Sequence, residues 1–358
     1  MALIWQVAMI QGDPHRSMAN FNPEDHAGQL TALEQLARSA LARYPIAADC
    51  GIRLLNLSEN AMFKVEDAAG NRWVLRVHRE GYHTPEAIAS ELAWAMALRN
   101  EQVVITPSPV AGHDGRFVQQ LSNPGLATAR HVVLFHWEPG AEPAITDDLF
   151  SHVATLGEIT ARMHLHARQW RWPAGFTRHR WDFSASLGEE QPRWGRWRDA
   201  VGLTKEAELL FERTVQVIGR RLTAYGSSPD RFGLIHADLR LANLLIDGET
   251  VKVIDFDDCG FGWFMYDAAS VISFYEHEAR AQDLIEGWKL GYRRVMPIDP
   301  ADEAEIPTFV MFRRILLTAW IASHFEADFP RSLGASYTAS GLDLCENYLR
   351  VHDNFLTS

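Results

Sequence analysis

The sequence predicts an α+β protein of two lobes, a small β-rich N-terminal lobe and a larger, mainly helical C-terminal lobe. Three observations carry this. Short runs of β-like composition cluster between residues 51 and 137, helical periodicity dominates after residue 144, and a Pro/Gly-rich segment, EPGAEP at 138–143, stands between them.

Residues 1–25 show no periodicity and read as a loosely ordered lead-in. From His26 to Tyr44, Leu30, Leu33, Leu36, Ala37, Ala40 and Leu41 recur at helical spacing, and Pro45 stops the helix. IRLLNL, AMFKVED and RWVLRVHR follow as short strands separated by turn residues such as Asp67 to Asn71. Thr84 then offers an N-cap, Pro85 suits the first helical position, and Glu86 suits the positive end of a helix running to about Asn100. RFVQQL and HVVLFHW add strands, completing an N-terminal lobe over 26–137, with 138–143 as the hinge. In the C-terminal lobe (144–358), helices are expected over 146–168, 204–225, 278–295, 303–324 and 336–354. Between the first two lies a segment (169–198) with five of the twelve tryptophans beside several arginines. It suits either a substrate wall offering aromatic faces to a cation or the packing of a helical subdomain.

Composition narrows the class. Hydrophobic residues are 47% and charged residues 22% of 358, enough for a sizeable core without disulfides. A formal charge of −12 disfavours a nucleic-acid partner and suits a cationic small molecule. Cys50, Cys259 and Cys345 are odd in number and far apart, so reduced thiols are expected rather than a disulfide framework or a cysteine-rich zinc site. The apolar start MALIWQVAMI lacks a basic n-region, and no run approaches the roughly 18 apolar residues of a membrane span. A soluble cytoplasmic protein is expected; oligomeric state is not legible.

The most informative stretch is GLIHADLRLANLLIDGETVKVIDFDDCGFGWFMYDAAS (233–270). It holds His236-x-Asp238-x₄-Asn243, two short apolar strands joined by DGET, and then Asp255-Phe256-Asp257-Asp258. Phosphoryl transfer needs such a set: an acceptor for the proton of a hydroxyl nucleophile, and oxygen donors for a magnesium ion that takes few protein ligands. A hairpin through DGET would carry Asp255 back beside Asp238 and Asn243. The same residue types also serve as ordinary turn and cap residues.

HADLRLAN and IDFDD resemble the H-G-D-L-x-x-x-N and I-D-[FW]-[DEG]-D motifs of the aminoglycoside phosphotransferase/choline kinase family, a branch of the protein-kinase-like fold, with Ala237 in place of glycine. The resemblance covers about residues 50–270. It implies ATP and Mg²⁺, with Asp238 as catalytic base, Asn243 and Asp255 as metal ligands, and His236 and Asp267 bracing the loop. In the N-terminal lobe NLSENAMFKV resembles the phosphate-covering hairpin, with Ser58, Glu59 and Asn60 replacing a glycine-rich loop. Arg76 in VLRVHR stands where the family more often has the nucleotide-binding lysine, and Glu91 in SELAWAMAL stands as its partner. LGEITARMHLHA, with His164, resembles a family helix; otherwise His164, His166, His131 and His136 read as core or surface histidines. Asp257 and Asp258 remain open between a second metal, the substrate and capping of the following turn.

The leading expectation is transfer of the γ-phosphate of ATP to a hydroxyl of a small molecule, of the amino alcohol, hydroxyamino acid, sugar or aminoglycoside class. The alternatives are a stress-response-type Ser/Thr protein kinase and a nucleotide-binding regulatory protein without transfer activity. About eleven residues between Asp255 and Asp267 leave little length for a peptide-docking activation segment.

Overall fold

The computed structural model describes residues 23–57, 60–143, 149–325 and 327–353. The lead-in lies outside these residues up to position 22, as do Ser58 and Glu59.

The N-terminal lobe opens with α1 (Pro23–Leu41), whose Leu33, Leu36, Ala37, Ala40 and Leu41 are buried against the sheet, the face that the helical spacing marks. Strands β1 (Gly51–Leu57), β2 (Ala61–Glu66) and β3 (Arg72–Val77) then form an antiparallel meander. In β2 the alternation Ala61, Phe63, Val65 points inward and leaves Met62, Lys64 and Glu66 more exposed. Helix α2 (Pro85–Asn100) begins as its punctuation requires: Thr84 accepts a hydrogen bond from the Ala87 amide, and Pro85 opens the first turn. Strands β4 (Gln119–Leu121) and β5 (Arg130–His136) complete a five-stranded sheet in the order β1-β2-β3-β5-β4. The run RFVQQL yields only its last three residues as strand.

The chain leaves this sheet along a segment that pairs with the catalytic region. Ala141 and Ile246 exchange two backbone hydrogen bonds of 3.0 and 2.8 Å, and Lys252 donates to the Pro139 carbonyl at 2.7 Å.

The C-terminal lobe contains α3 (Leu149–Gln169), α4 (Phe183–Leu187), α5 (Lys205–Tyr225), β6 (Phe232–Ile235), β7 (Leu244–Asp247), β8 (Thr250–Val253), β9 (Gly260–Trp263), α6 (Tyr266–Ser270), α7 (Ala281–Tyr292), α8 (Pro300–Ser323) and α9 (Asp328–His352). Two antiparallel pairs, β6-β9 and β7-β8, carry the site loops. Helices α3 and α7 meet backbone to backbone at glycines. A Cβ on Gly157 would lie 2.0 Å from the Trp288 carbonyl, and one on Gly291 1.7 Å from the Ala154 carbonyl.

Helix α8 is long and apolar enough to cross a membrane, but 78% of its apolar window is buried inside the protein. Phe309, Phe312, Ile315 and Leu316 are fully buried in the core cluster, each worth about 1.5–3 kcal/mol of transfer free energy. Helix α9 starts eight residues before the predicted 336, running through Pro330 in its first turn and breaking at Gly334, where φ is +46°.

Candidate active site

The loop after β6 carries His236, Asp238 and Asn243, and Asp267 at the start of α6 shapes it. Asp267 accepts from the Ala237 amide at 2.8 Å and from the His236 amide at 3.1 Å. His164 on α3 stands 3.1 Å from the same carboxylate and 3.0 Å from the Tyr292 hydroxyl. Asp267 and His164 are fully buried, so His164 is a core histidine, but one with an acidic partner on α6. Burial also lowers the His236 imidazole below its ordinary pKa, which keeps it neutral. Its Nδ1 accepts from the Asp238 amide, which leaves Nε2 to donate to the Ile254 carbonyl. Ala237 sits at φ +67°, where a side chain costs about 1–2 kcal/mol and glycine costs nothing. Its peptide is pinned there, because its carbonyl accepts from Arg313 at 2.7 Å and from Ser270 at 3.1 Å.

Asp238 is bound on both carboxylate oxygens. Oδ1 accepts from Arg313, which projects from α8, and Oδ2 accepts from Arg240 at 3.1 Å and from Asn243 Nδ2 at 2.8 Å. Burial by itself would raise this carboxyl; the guanidinium charges of Arg240 and Arg313 outweigh it and hold the group below its usual range. Asn243 spends its second amide hydrogen on the Asp238 carbonyl at 2.8 Å, leaving its side-chain oxygen without a share in these bonds. The Asn243 carbonyl accepts from the Ile254 amide at 2.9 Å, so the strand that delivers Asp255 is tied directly to the catalytic loop. Asp255 is exposed, at φ +63°.

This donor set fits a hard divalent cation. One amide oxygen and one exposed carboxylate are what magnesium commonly takes from protein, with phosphate oxygens and water completing its shell. Among the described residues no group of three or more His, Cys, Asp or Glu side chains could hold a metal without such help.

The side expected to take the nucleotide is built around Arg76 on β3 and Glu91 on α2. One Arg76 nitrogen donates to both Glu91 oxygens, at 2.7 and 2.9 Å, and both side chains are buried. A guanidinium therefore makes the ion pair that the family more often makes with lysine. Asp257 lies against this pair, 3.7 Å from Arg76, 3.7 Å from His78 and 3.4 Å from His83. Burial would raise Asp257, but His83 and the Arg76 guanidinium hold it well below the usual carboxylate range. Asn60 donates to Asp257 at 3.0 Å and accepts from the Arg79 amide at 3.1 Å, so its side chain latches the β1–β2 turn to the catalytic segment. Asp258 turns the other way and accepts from the Tyr82 hydroxyl at 2.6 Å.

The 169–198 segment is mainly packing. Trp181, Trp194 and Trp197 are buried, while Trp172 is exposed. Its Arg178 donates to the carbonyls of Cys259, Asp257 and Ala87, and so clamps the Asp257 turn to α2. Arg178, Arg240 and Arg313 are the supporting residues that sequence reasoning missed. Arg240 alone lay inside the recognised motif, two residues after Asp238. A cavity of about 730 Å³ opens beside α2, lined by Glu86, Met96, Phe117 and His131 among others; none of the residues above lines it.

With this geometry in hand, comparison with known proteins is direct. The phosphotransferase enzyme family, designated APH, matches residues 51–298. A solved microcompartment-associated aminopropanol kinase superposes with a TM-score of 0.82 at 45% identity, over 88% of this chain and 97% of its own. The amicoumacin kinase of Bacillus subtilis (strain 168) is 25% identical, over 82% of this chain and 86% of the relative. Stress response kinase A of Escherichia coli (strain K12) is 23% identical, over 83% and 87%. The chain belongs to the phosphotransferase enzyme family, as an ATP-dependent phosphotransferase with an alcohol group as acceptor.

Proposed function

We propose that the protein is an amino-alcohol kinase that uses Mg²⁺·ATP, with Asp238 as the base for the acceptor hydroxyl. The observation that carries this is the Asp238–Asn243–Ile254 connection, which ties the proton acceptor, the amide oxygen and the strand leading to Asp255 into one hydrogen-bonded unit. Asp238, kept ionised by Arg240 and Arg313, would accept the hydroxyl proton as the oxygen bonds to the γ-phosphorus and the γ-phosphorus bond to the β–γ bridging oxygen breaks, releasing ADP. Asn243 and Asp255 would hold Mg²⁺, which when bound neutralises charge on the phosphates. Arg76, oriented by Glu91, would bind phosphate oxygens, and Arg240, which feels the charge of both Asp238 and Asp255, would meet charge developing on the transferred group.

The amine in the acceptor rests on the likeness to the aminopropanol kinase and on the −12 charge. The protein-kinase alternative is disfavoured by residues 256–266, a buried or half-buried turn, β9 and entry to α6, which leave no free segment for peptide docking. Turnover of ATP with Mg²⁺ across short amino alcohols, hydroxyamino acids, sugars and aminoglycosides tests the reading. A short amino alcohol should show the highest kcat/KM. Transfer only to protein, or to no acceptor at all, would overturn it.

A further inference from the structure

Asp257 stands two residues after Asp255 and turns its carboxylate toward the N-terminal lobe. Oδ2 accepts from Asn60 Nδ2 at 3.0 Å and lies 3.4 Å from His83 Nε2. Oδ1 lies 3.7 Å from Arg76 and 3.7 Å from His78 Nδ1. These four residues come from three separate places in that lobe. Asn60 ends the β1–β2 turn, and His83 lies just before α2. Arg76 and His78, two residues apart on β3 and just past it, share one side of the extended chain. Asp257 itself is only 4% exposed. Its carbonyl accepts from Arg178, which also holds the carbonyls of Ala87 on α2 and of Cys259. Backbone and carboxylate are therefore both fixed.

The sequence leaves Asp257 open between a second metal, the substrate and capping of the following turn. Its surroundings point to a fourth role. A second magnesium ion on this carboxylate would displace the Asn60 amide or stand against the Arg76 guanidinium, a like charge. The groups it meets are instead donors and imidazoles of the opposite lobe. Arg76 and Asp255 are expected to act on one nucleotide from the two lobes, the first on phosphate oxygens and the second through the metal. Glu91 cannot by itself set their separation, because it lies in the same lobe as Arg76 and fixes the guanidinium only within that lobe. Asp257 can, since the chain joins it to Asp255 and charge joins it to Arg76.

We propose that Asp257 is the positioning residue that sets Arg76 against Asp255 across the two lobes, and that it is not a metal ligand. The inference rests on the phosphotransferase reading of the site and deepens it. Asn60 shares the latch: its amide bonds Asp257 and its oxygen accepts from the Arg79 backbone at 3.1 Å, so the β1–β2 turn is held together with Arg76. Such support from outside the reacting groups is what keeps a two-sided site in register.

The test is Asp257→Asn, which keeps shape and removes charge, set beside Asp255→Asn. Kinetics with the best acceptor of the panel above give the KM for ATP at saturating Mg²⁺, the activation constant for Mg²⁺ at saturating ATP, and the KM for the acceptor. Asp257→Asn should raise the KM for ATP about ten- to a hundredfold, the range for losing interactions with charged groups, with the other two constants within about threefold. Asp255→Asn should raise the Mg²⁺ constant instead. A merely structural loss would lower the active fraction, and so kcat, with every constant in place. Asn60→Ala should raise the KM for ATP by a smaller factor, and the double variant should do less than the product of the two. Asn60→Ala decides the matter if Asp257→Asn does not fold. An unchanged KM for ATP in the folded variants, independent effects in the double variant, or a Mg²⁺ constant raised as far as in Asp255→Asn would overturn the assignment and leave the kinase reading standing. Wild-type protein that transfers phosphate to no acceptor would overturn the kinase reading itself, and this assignment with it.

Discussion

Replacing Arg313 by lysine perturbs the support of Asp238, the proposed base, without removing the charge beside it. The guanidinium is fully buried and donates to four groups: the Ser273 hydroxyl at 2.6 Å, the Ala237 carbonyl at 2.7 Å, the Tyr266 hydroxyl at 2.9 Å and Asp238. A lysine ammonium is a point donor on a flexible stem and can reach about two of these. Losing the other two, at about 1.5–3 kcal/mol for each bond to a charged donor, puts the expected destabilisation at about 3–6 kcal/mol. The functional consequence is larger in kind. Arg313 is one of the charges that depress Asp238, so a displaced cation lets the carboxyl's pKa rise and moves the acid limb of the kcat–pH profile to higher pH. Misplacing the base should also lower kcat by about a hundredfold, with the KM for ATP little changed. Urea unfolding and kcat over a pH series measure both parts. A folded Arg313→Lys protein with wild-type kcat and an unmoved acid limb would refute the assignment of Arg313 as the residue that positions Asp238.

Three further predictions follow from packing and protonation. Gly157→Ala should destabilise the protein by about 2–3 kcal/mol in urea, despite the better helix propensity of alanine (about 1 kcal/mol), because its Cβ would sit 2.0 Å from the Trp288 carbonyl and force α3 from α7. Ala237→Gly should leave activity in place and change stability by under about 1 kcal/mol, since relief of the strain at φ +67° offsets the added freedom of the unfolded chain. Burial lowers His78 and His179 well below their ordinary pKa, so below pH 6.5 the unfolded chain binds protons that the folded protein refuses. Stability should therefore fall with acidification, by at most about 3 kcal/mol for the pair between pH 7.5 and 5.5, and His78→Asn should flatten that slope in urea titrations.

Asp238, Asn243 and Asp255 were legible because their chemistry and spacing lie within one short segment and a hairpin returns the chain. The Arg76–Glu91 pair was legible because a strand and a capped helix fix their relation over fifteen residues. Arg313 and Arg178 were not, since each meets its catalytic-segment partners across more than seventy residues and shows no periodic signal. Tyr82 is more remote still, 176 residues from Asp258. Asn60 was expected on the phosphate-covering hairpin; that its side chain also engages Asp257 and the Arg79 backbone was invisible without the lobe arrangement. Helix α9 starts before the predicted 336 because a proline in the first turn costs no helical hydrogen bond and Gly334 absorbs a kink.

The central claim is a division of labour within one hydrogen-bonded unit: Asp238 for the proton, Asn243 and Asp255 for the metal-bound phosphates. Parallel measurement of Mg²⁺·ATP binding and single-turnover transfer in Asp238→Ala and Asp255→Ala tests it most directly. Asp238→Ala should lose about 10²–10⁴-fold in transfer rate with Mg²⁺·ATP affinity close to wild type, whereas Asp255→Ala should weaken Mg²⁺·ATP binding itself. Wild-type transfer by Asp238→Ala, or undiminished Mg²⁺·ATP affinity in Asp255→Ala, would contradict it.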